Sequence, residues 1–347
     1  MNEILDETVR RLFTDHGAAR DADGETVGEE LWARLSDLEM TSVGVAEADG
    51  GAGGTLKDAA VIVRAAARHA APVPIAETLL VASMLGVRTR APSAPWTVAV
   101  RPGELPRLRR TASGPVLSGL AARVPWVRTV EWVAVVADDG DGQAVVSVPV
   151  QDCPIERTDV NLAGEPRDTL LFDHLVLSED QVVGGAELGK RALAAAATAR
   201  AVQISGALEE VLEATVSYAN EREQFGRPLG RFQAVQQLVA ELAAEVAAAR
   251  AAADAAVAGL DALDRNDGWR AAAAAKVRTG RAATVGARIA HQVHGAMGFT
   301  HEHGLHRLTR RLWSWREECG AEGYWSAELG RAVLSAGGSR LWPSLTD

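Results

Sequence analysis

The sequence predicts a multi-domain α+β protein in which helices, then strands, then helices follow one another along the chain. Apolar residues recur at helical spacing up to about residue 85, short β-branched runs follow to about residue 177, and alanine-rich helical stretches fill the remainder. We place the domain boundaries at 1–90, 91–180 and 181–347. Because strands and helices are segregated, a doubly wound parallel sheet is not expected.

The N-terminal segment shows two helical patterns and a glycine-rich loop. Leu5, Val9 and Leu12 recur at helical spacing, residues 29–35 repeat the pattern, and residues 49–55 contain four glycines. A dinucleotide fingerprint requires a strand before its glycines, and here a helical segment precedes them. We therefore expect a helical domain without a phosphate site in this loop.

The middle segment has the composition of a small antiparallel β domain. Three runs rich in valine and leucine are separated by turn residues such as those at 138–142, and the runs lie at 132–136, 144–148 and 170–172. The C-terminal segment contains long helical stretches at 193–220, 234–263 and 269–293. Helices of this length pack side by side, so a four-helix bundle is expected.

The composition is that of a globular protein and excludes several classes of function. The chain has 347 residues, 47% of them hydrophobic and 24% charged, with a net charge of −10 that disfavours nucleic acid as a partner. Cys153 and Cys319 are too few for a disulfide framework. Residues 1–7 contain acids where a signal peptide has basic residues, and no apolar run reaches ~18 residues. We expect a cytoplasmic protein without membrane contact.

Two strings in the helical region have a specific spacing. Residues 218–233 read YANEREQFGRPLGRFQ, and residues 292–302 read QVHGAMGFTHE. The first resembles the Y-x-x-x-R-x-Q-F-G-x-P-L-x-x-F-Q signature of the acyl-CoA dehydrogenase family. The second resembles that family's Q-x-x-G-x-x-G-[YF]-x-x-E segment, with Arg307 and Arg311 following at the expected offsets. The resemblance extends over nearly the whole chain.

This resemblance implies a fold, a reaction and partners. Family members have an N-terminal helical domain, a middle antiparallel β domain and a C-terminal four-helix bundle, and they use FAD to desaturate acyl thioesters between the α and β carbons. The implied partners are an acyl-CoA or acyl-carrier thioester and an electron-transfer flavoprotein or another acceptor. A homotetramer, or a heterotetramer with a related subunit, is implied as well.

The resemblance also assigns cofactor-binding residues. In the family, the motif arginine and glutamines reach across a subunit interface to the adenosine diphosphate part of FAD, an aromatic residue packs on the cofactor, and glycines allow close backbone approach. The corresponding residues here are Arg222, Gln224, Phe225, Gln292, Gly295 and Gly298. A guanidinium suits a pyrophosphate because it stays charged and donates in a planar fork. The alternative is that Arg222 caps a helix and Phe225 belongs to a core.

The catalytic base that the family uses is replaced in this chain. The resemblance implies a glutamate before a glycine at the position that Cys319 occupies ahead of Gly320, and the second known location falls on Arg281. Glu318 could serve after a one-residue shift, and Cys319 could serve only with a lowered pKa. The remaining alternative is that the chain contains no base. An active flavoenzyme and a non-catalytic partner subunit therefore both stay open.

Two further features depart from the family pattern or compete with it. Arg128 follows Trp126-Val127 where members usually carry a flavin-binding hydroxyl, and no T-E-P loop is recognisable in residues 96–103. Five histidines cluster within sixteen residues, at His291, His294, His301, His303 and His306. His294 and His301 are ionisable alternatives for the base, although a histidine in such a segment is more often structural. No H-E-x-x-H arrangement occurs, so no metal is expected.

Overall fold

A computed structural model describes residues 2–17, 24–87, 93–185, 187–260, 268–300 and 303–337. Its N-terminal part is helical, and its helices are α1 (Asn2–Gly17), α2 (Gly24–Asp37) and α3 (Leu56–Arg68). Thr55 and Asp58 form a reciprocal capping box that starts α3 directly after the glycine-rich loop. A π-helical turn at Glu77–Ala82 then leads towards the middle domain.

The middle part is one eight-stranded sheet. Its strands are β1 (Trp96–Ala99), β2 (Arg107–Thr111), β3 (Gly114–Pro125), β4 (Trp132–Asp138), β5 (Gln143–Pro149), β6 (Ile155–Arg157), β7 (Arg167–Val176) and β8 (Val182–Gly184). The strand order is β6-β7-β3-β2-β4-β5-β8, and β1 pairs with β4. Most pairs are antiparallel, as expected, but β1 and the start of β2 run parallel to β4. The β2–β3 hairpin lies between these strands in the chain and allows that parallel return.

The C-terminal part consists of long helices. These are α4 (Leu188–Glu221), α5 (Gln233–Leu260), α6 (Gly268–His294), α7 (Leu305–Glu317) and α8 (Glu322–Ala336). A short hairpin of β9 (Glu223–Gln224) and β10 (Arg227–Pro228) joins α4 to α5. Helix α4 packs against α5, α6 and α7, and also against α3 of the N-terminal part. Fully buried alanines along α4, which have small side chains, allow these neighbours to lie close.

The main hydrophobic core is continuous across the three parts. One cluster joins side chains of α1 to α3, strands β1, β4 and β5, and helices α4 to α6, while a separate cluster fills the remaining face of the sheet. This continuity holds the helices and the sheet around the cavity described below. Within the described ranges, no helix combines the length and the apolar character needed to cross a bilayer.

Candidate active site

A cavity of about 580 Å³ lies where the three parts of the fold meet. Glu77 lines it from the N-terminal part, Arg167 from β7 and Arg200 from α4. The loop between α7 and α8 closes one side with Glu318 and Cys319. The two sequence-predicted base candidates therefore both lie in the wall of one cavity that is large enough for a small-molecule ligand.

Glu318 is fixed in this wall by four hydrogen bonds. Its Oε1 accepts from Nε of Arg167 at 2.8 Å and from Nδ2 of Asn161 at 3.1 Å. Its Oε2 accepts from Nη2 of Arg167 at 3.0 Å and from Nε of Arg200 at 2.8 Å. The Glu318 side chain is 15% exposed. Both carboxylate oxygens are thus engaged by buried cations.

The ion pairs continue on both sides of Glu318. Arg200 donates from Nη2 to Oε1 of Glu77 at 2.7 Å and from Nη1 to Oε1 of Gln203 at 2.6 Å. On the other side, Nη2 of Arg167 donates to Oε2 of Glu165 at 2.9 Å. We call the set Glu77, Arg200, Glu318, Arg167, Glu165 and Arg311 the buried ion network. Its charges alternate, so each charge lies beside an opposite one.

Glu165 is the other fully engaged carboxylate of the buried ion network. Besides Arg167, it accepts hydrogen bonds from Nδ2 of Asn161 at 2.8 Å, Nε1 of Trp315 at 3.0 Å and Nε of Arg311 at 3.1 Å. The network therefore joins the loop before β7 to helix α7. Breaking one partner of such a buried set leaves the remaining charges uncompensated.

The surroundings of Glu318 make it a weak base. Burial alone would raise the pKa of its carboxyl, but the charges of Arg167 and Arg200 and the hydrogen bonds from Arg167 and Asn161 lower the pKa to about 2. A carboxylate with such a pKa stays ionised and has little tendency to accept a proton at neutral pH.

The pKa of Cys319 is shifted in the opposite direction from that of Glu318. Burial raises the pKa of its thiol, an effect that Arg200 and Lys276 oppose and Glu318 and Glu77 reinforce. The thiol is therefore less ionised at neutral pH than a free cysteine. Its backbone has a left-handed φ of 55°, and its carbonyl accepts from Nε1 of Trp325 at 3.0 Å.

A buried lysine supports the same loop from α6. Nζ of Lys276 donates to the carbonyl of Arg316 at 2.6 Å, and burial lowers the pKa of its ammonium to about 8. Arg281, the second family location for a base, lies one helical turn further along α6 and is exposed. No carboxylate occupies either family position.

The segment that departs from the family pattern in the β domain is engaged elsewhere. Arg128 donates from Nε to Oδ2 of Asp168 at 3.0 Å, and the Asp168 side chain is completely buried. Thr97, within the segment that replaces the T-E-P loop, donates to the carbonyl of Pro125 at 2.6 Å.

The two motif strings meet at one end of the bundle. The ring of Tyr218, the first residue of the first string, stacks on the ring of His294 in the second string at a centroid distance of 4.4 Å. Nδ1 of His294 also donates to the carbonyl of Ala290 at 2.8 Å, and burial lowers the pKa of its imidazole. The sequence-predicted cofactor residues therefore lie on two neighbouring segments.

The first string presents its polar and aromatic side chains outwards. Arg222 ends α4, and its backbone N–H donates to the carbonyl of Tyr218, but its side chain is exposed. Gln224 is exposed on the β9–β10 hairpin, and Phe225 is 91% exposed with a left-handed φ of 54°. Phe225 contacts Phe232 edge-on at a centroid distance of 6.2 Å. It does not belong to a core, in contrast to the alternative considered from the sequence.

The second string forms a tight turn after α6. Gly295 has a left-handed φ of 58°, and a Cβ on Gly298 would lie 3.0 Å from Cβ of His294 and 3.1 Å from Nδ1 of His291. His291 stacks on Phe299 at 4.2 Å. Gln292 is exposed beside this turn. Both glycines are thus required by the local geometry.

The histidine cluster does not assemble a metal site in the described part of the chain. His291 and His294 contact neighbouring rings, and among the described residues no group of three or more His, Cys, Asp or Glu side chains is placed to hold a metal ion. His301, an alternative base, lies outside the described residues. Burial and the neighbouring His306 lower the pKa of the His291 imidazole.

Sequence reasoning missed most of the buried ion network. Glu77, Glu165, Arg167 and Arg200 were not among the candidate residues, although they bind or extend from Glu318. A usable signal existed in α4, where Arg200 interrupts a long run of alanine and other apolar residues. A charged residue within a buried helical stretch normally has an opposite charge beside it.

Comparison with protein families and curated proteins gives a consistent result. The model of the acyl-CoA dehydrogenase N-terminal domain matches residues 2–90, and that of the C-terminal domain matches residues 184–333. The acyl-CoA dehydrogenase IpdE2 of Mycobacterium tuberculosis is 30% identical over 89% of this chain and 90% of its own length. FadE34, an acyl-CoA dehydrogenase of the same organism, is 33% identical over 88% of this chain. The match spans only 42% of the FadE34 sequence.

Solved structures share the fold. The ChsE4-ChsE5 complex from Mycobacterium tuberculosis contains a chain that superposes with a TM-score of 0.87 at 22% identity, covering 96% of this chain and 97% of that one. The Tcur3481-Tcur3483 steroid ACAD G363A variant gives a TM-score of 0.83 at 26% identity, with 96% and 98% coverage. The FAD complex of PigA gives 0.81 at 16% identity, with 97% and 98% coverage. Family models, curated relatives and fold agree, and the chain belongs to the acyl-CoA dehydrogenase family.

Proposed function

We propose that this chain is a cofactor-contacting subunit of an FAD-dependent acyl-CoA dehydrogenase assembly that acts on an acyl thioester. The observation that carries this proposal is the occupation of both oxygens of Glu318 by Arg167 and Arg200 beside a cysteine in the usual base position. The assembly would desaturate a thioester of CoA or of a carrier protein. It would pass the electrons to an electron-transfer flavoprotein or another acceptor.

The exposed motif residues fit the anionic part of FAD. Arg222, Gln224 and Gln292 are exposed, and their side chains hydrogen-bond to no other described residue. One permanent positive charge and two amides are suitable donors for a pyrophosphate and for ribose or adenine oxygens and nitrogens. Phe225, almost fully exposed beside them, offers a flat apolar surface. We infer that these four side chains bind FAD held mainly by another subunit.

The chain's own cavity is poorly equipped for proton removal. Three carboxylates line it, of which Glu77 and Glu318 belong to the buried ion network. The third, Glu317, is exposed and pairs with Arg316 at 2.9 Å. A general base must be both positioned and able to accept a proton, and Glu318 satisfies only the first condition.

In this assembly, FAD, this chain and the partner subunit would have separate roles. When bound, FAD supplies the hydride acceptor for the β carbon of the thioester. Arg222 and the two glutamines hold the negatively charged end of the cofactor, and Phe225 covers it from water. A carboxylate from the partner subunit would take the α proton. The ion network of this chain keeps its α7–α8 loop rigid next to the interface.

The solved relatives provide precedent for a two-component assembly. One similar solved structure is the complex of ChsE4 with ChsE5, and another is the steroid ACAD Tcur3481-Tcur3483. By analogy, we favour a heterotetramer with a related chain over a homotetramer. The missing base favours this choice, because a homotetramer would lack a carboxylate at every family base position.

Replacing Arg222 tests the cofactor role. Arg222→Ala should lower the FAD content of the purified assembly about tenfold at limiting FAD, because a hydrogen bond to a charged group contributes roughly 1.5–3 kcal/mol. Arg231→Ala is the matched control, since Arg231 is also exposed near the hairpin and lies outside the motif's cofactor positions. The ratio of flavin absorbance to protein measures the content. An unchanged ratio in Arg222→Ala would exclude the proposed role.

A self-sufficient dehydrogenase is the second candidate, and the cavity beside Cys319 favours it. The visible spectrum of the chain expressed alone, before and after anaerobic addition of acyl-CoA thioesters, separates the two. A colourless chain that gains flavin only with a related partner supports the subunit role. Bleaching of flavin in the isolated chain would replace that role with an active enzyme. Comparing Glu318→Gln with Cys319→Ser would then identify the base.

A further inference from the structure

A second cavity, of about 520 Å³, lies on the far side of Glu165 from the first. Helix α2 contributes Trp32 and Ala33 to its wall, and the segment after β3 contributes Trp126. Helix α7 contributes Arg311. Prolines complete the apolar surface at Pro72, Pro74 and Pro166. The volume lies within the range of small-molecule sites, and the wall is mainly flat and apolar.

Arg311 brings an unsatisfied positive group to this cavity. The residue is 9% exposed, its Nε donates to Glu165 at 3.1 Å, and its Nη1 donates to the carbonyl of Arg307 at 3.2 Å. Nη2 donates to no residue in the described part of the chain, and it is not sealed from solvent. Because Arg311 lines this cavity, we infer that its Nη2 is the donor that a ligand there would meet.

Trp126 adds a second donor from a buried side chain. It is 6% exposed, and its indole Nε1 hydrogen-bonds to no other residue in the described ranges. The nitrogen itself is not sealed from solvent, so a ligand acceptor can reach it. An acceptor from a ligand would satisfy it.

Arg311 shares its carboxylate partner, Glu165, with Arg167. Burial lowers the pKa of the Arg311 guanidinium; Glu165 opposes this effect, while Arg307 and Arg167 reinforce it. Glu165 already accepts hydrogen bonds from Arg167, Asn161 and Trp315 as well as Arg311. Its negative charge is therefore shared between two arginines, while Glu29 and Arg128 add one charge of each sign to the lining of the cavity.

We propose that this second cavity binds a planar aromatic carboxylate. The carboxylate accepts hydrogen bonds from Nη2 of Arg311 and Nε1 of Trp126, and the ring lies against the tryptophan and proline surfaces. The charge-assisted hydrogen bond makes the site selective for an anion, and the flat apolar walls make it selective for a planar ring. The lining of this site includes none of Arg222, Gln224, Phe225, Gln292 and Cys319.

Titration of the full-length protein with 2-naphthoate tests the site. Isothermal titration calorimetry should detect binding of 2-naphthoate, and the bound ligand should quench tryptophan fluorescence. The neutral 2-naphthamide should bind at least tenfold more weakly. Equal binding of acid and amide would overturn the anion site. Binding of inorganic phosphate with the same affinity would overturn the requirement for a ring.

Two variants locate the site without relying on one residue. Ala33→Trp places a large side chain in the lining of the cavity without replacing a member of the buried ion network, so it should weaken 2-naphthoate binding at least tenfold. Arg311→Lys keeps the charge but removes the guanidinium fork, and it should weaken binding as well. Arg310→Gln is the control, because Arg310 is exposed on the same helix and does not line this cavity. Unchanged affinity in Ala33→Trp would overturn the proposal even if Arg311→Lys failed to fold.

Discussion

Glu318 and Arg167 form a two-point ion pair between the α7–α8 loop and strand β7, with Nε–Oε1 and Nη2–Oε2 distances of 2.8 and 3.0 Å. This pair connects the cavity wall to the β domain, and Arg200 connects the same carboxylate to α4. The side chain of Glu318 thus fixes the position of the α7–α8 loop relative to strand β7. Glu318, one of the two base candidates from the sequence, therefore also belongs to the framework that holds the loop against the sheet.

Removal of this charge should destabilise the protein strongly. Glu318→Gln leaves Arg167 and Arg200 buried with less opposite charge, and breaking a buried pair in this way costs roughly 3–5 kcal/mol. Equilibrium unfolding in urea measures the change. Glu317→Gln is the control, because Glu317 is exposed and its ion pair contributes roughly 0–1 kcal/mol. Equal effects of the two substitutions would contradict a structural role for Glu318.

Lowering the pH should remove the stabilisation that the ionised carboxylate of Glu318 contributes. The pKa of Glu318 is about 2 in the folded protein and near 4.5 without these contacts, so the contribution is complete above pH ~4.5 and is lost as the pH falls towards 2. The amount is on the order of 3 kcal/mol, since each pKa unit corresponds to about 1.36 kcal/mol. We expect the stability difference between the parent and Glu318→Gln to shrink over this interval in urea titrations at several pH values. A difference that stays constant from pH 5 to 3 would refute the assignment.

The order of helices, sheet and helices could be predicted because periodicity and composition are local properties of the chain. The two cofactor motifs could be recognised because each occupies fewer than twenty consecutive residues. The buried ion network could not, because Glu318 is separated from Arg167 by 151 residues and from Arg200 by 118. The parallel pairing of Trp96 with Trp132 likewise depends on tertiary topology. Contacts between distant segments leave no local pattern in a single sequence.

Substitutions in the turn that follows α6 should distinguish steric crowding from backbone strain as the reason for a glycine. Gly298→Ala would bring a methyl group to 3.0–3.1 Å from His294, His291 and Leu305, and overpacking of this kind costs roughly 1–3 kcal/mol. Gly295→Ala has no atom within 4 Å of the new methyl but keeps a left-handed φ, which costs roughly 1–2 kcal/mol. We expect only Gly298→Ala to disturb the stacking of His294 on Tyr218, as seen in the ring chemical shifts of both residues. Equal shifts in both variants would show that backbone strain alone accounts for the glycines.

Cys319 should behave as a thiol that is difficult to ionise. Because burial raises the pKa of its thiol, the pH profile of alkylation by iodoacetamide should have its midpoint above ~8.5, the value of a free cysteine. Cys153→Ser removes the second thiol, although burial raises the pKa of Cys153 to about 12 and already makes it unreactive.

Lys276→Met makes the alkylation experiment specific to the surroundings of Cys319. The ammonium of Lys276 has a pKa of about 8 and is mostly neutral where the Cys319 thiol ionises, so removing it in the Cys153→Ser background should raise the midpoint only slightly. In urea, both variants should react with the profile of a free thiol, because the effect of burial disappears on unfolding. A midpoint below 8 in the folded protein would mean that the thiolate forms readily. Cys319 would then have the ionisation that a catalytic base requires, and the non-catalytic role proposed for this chain would have to be given up.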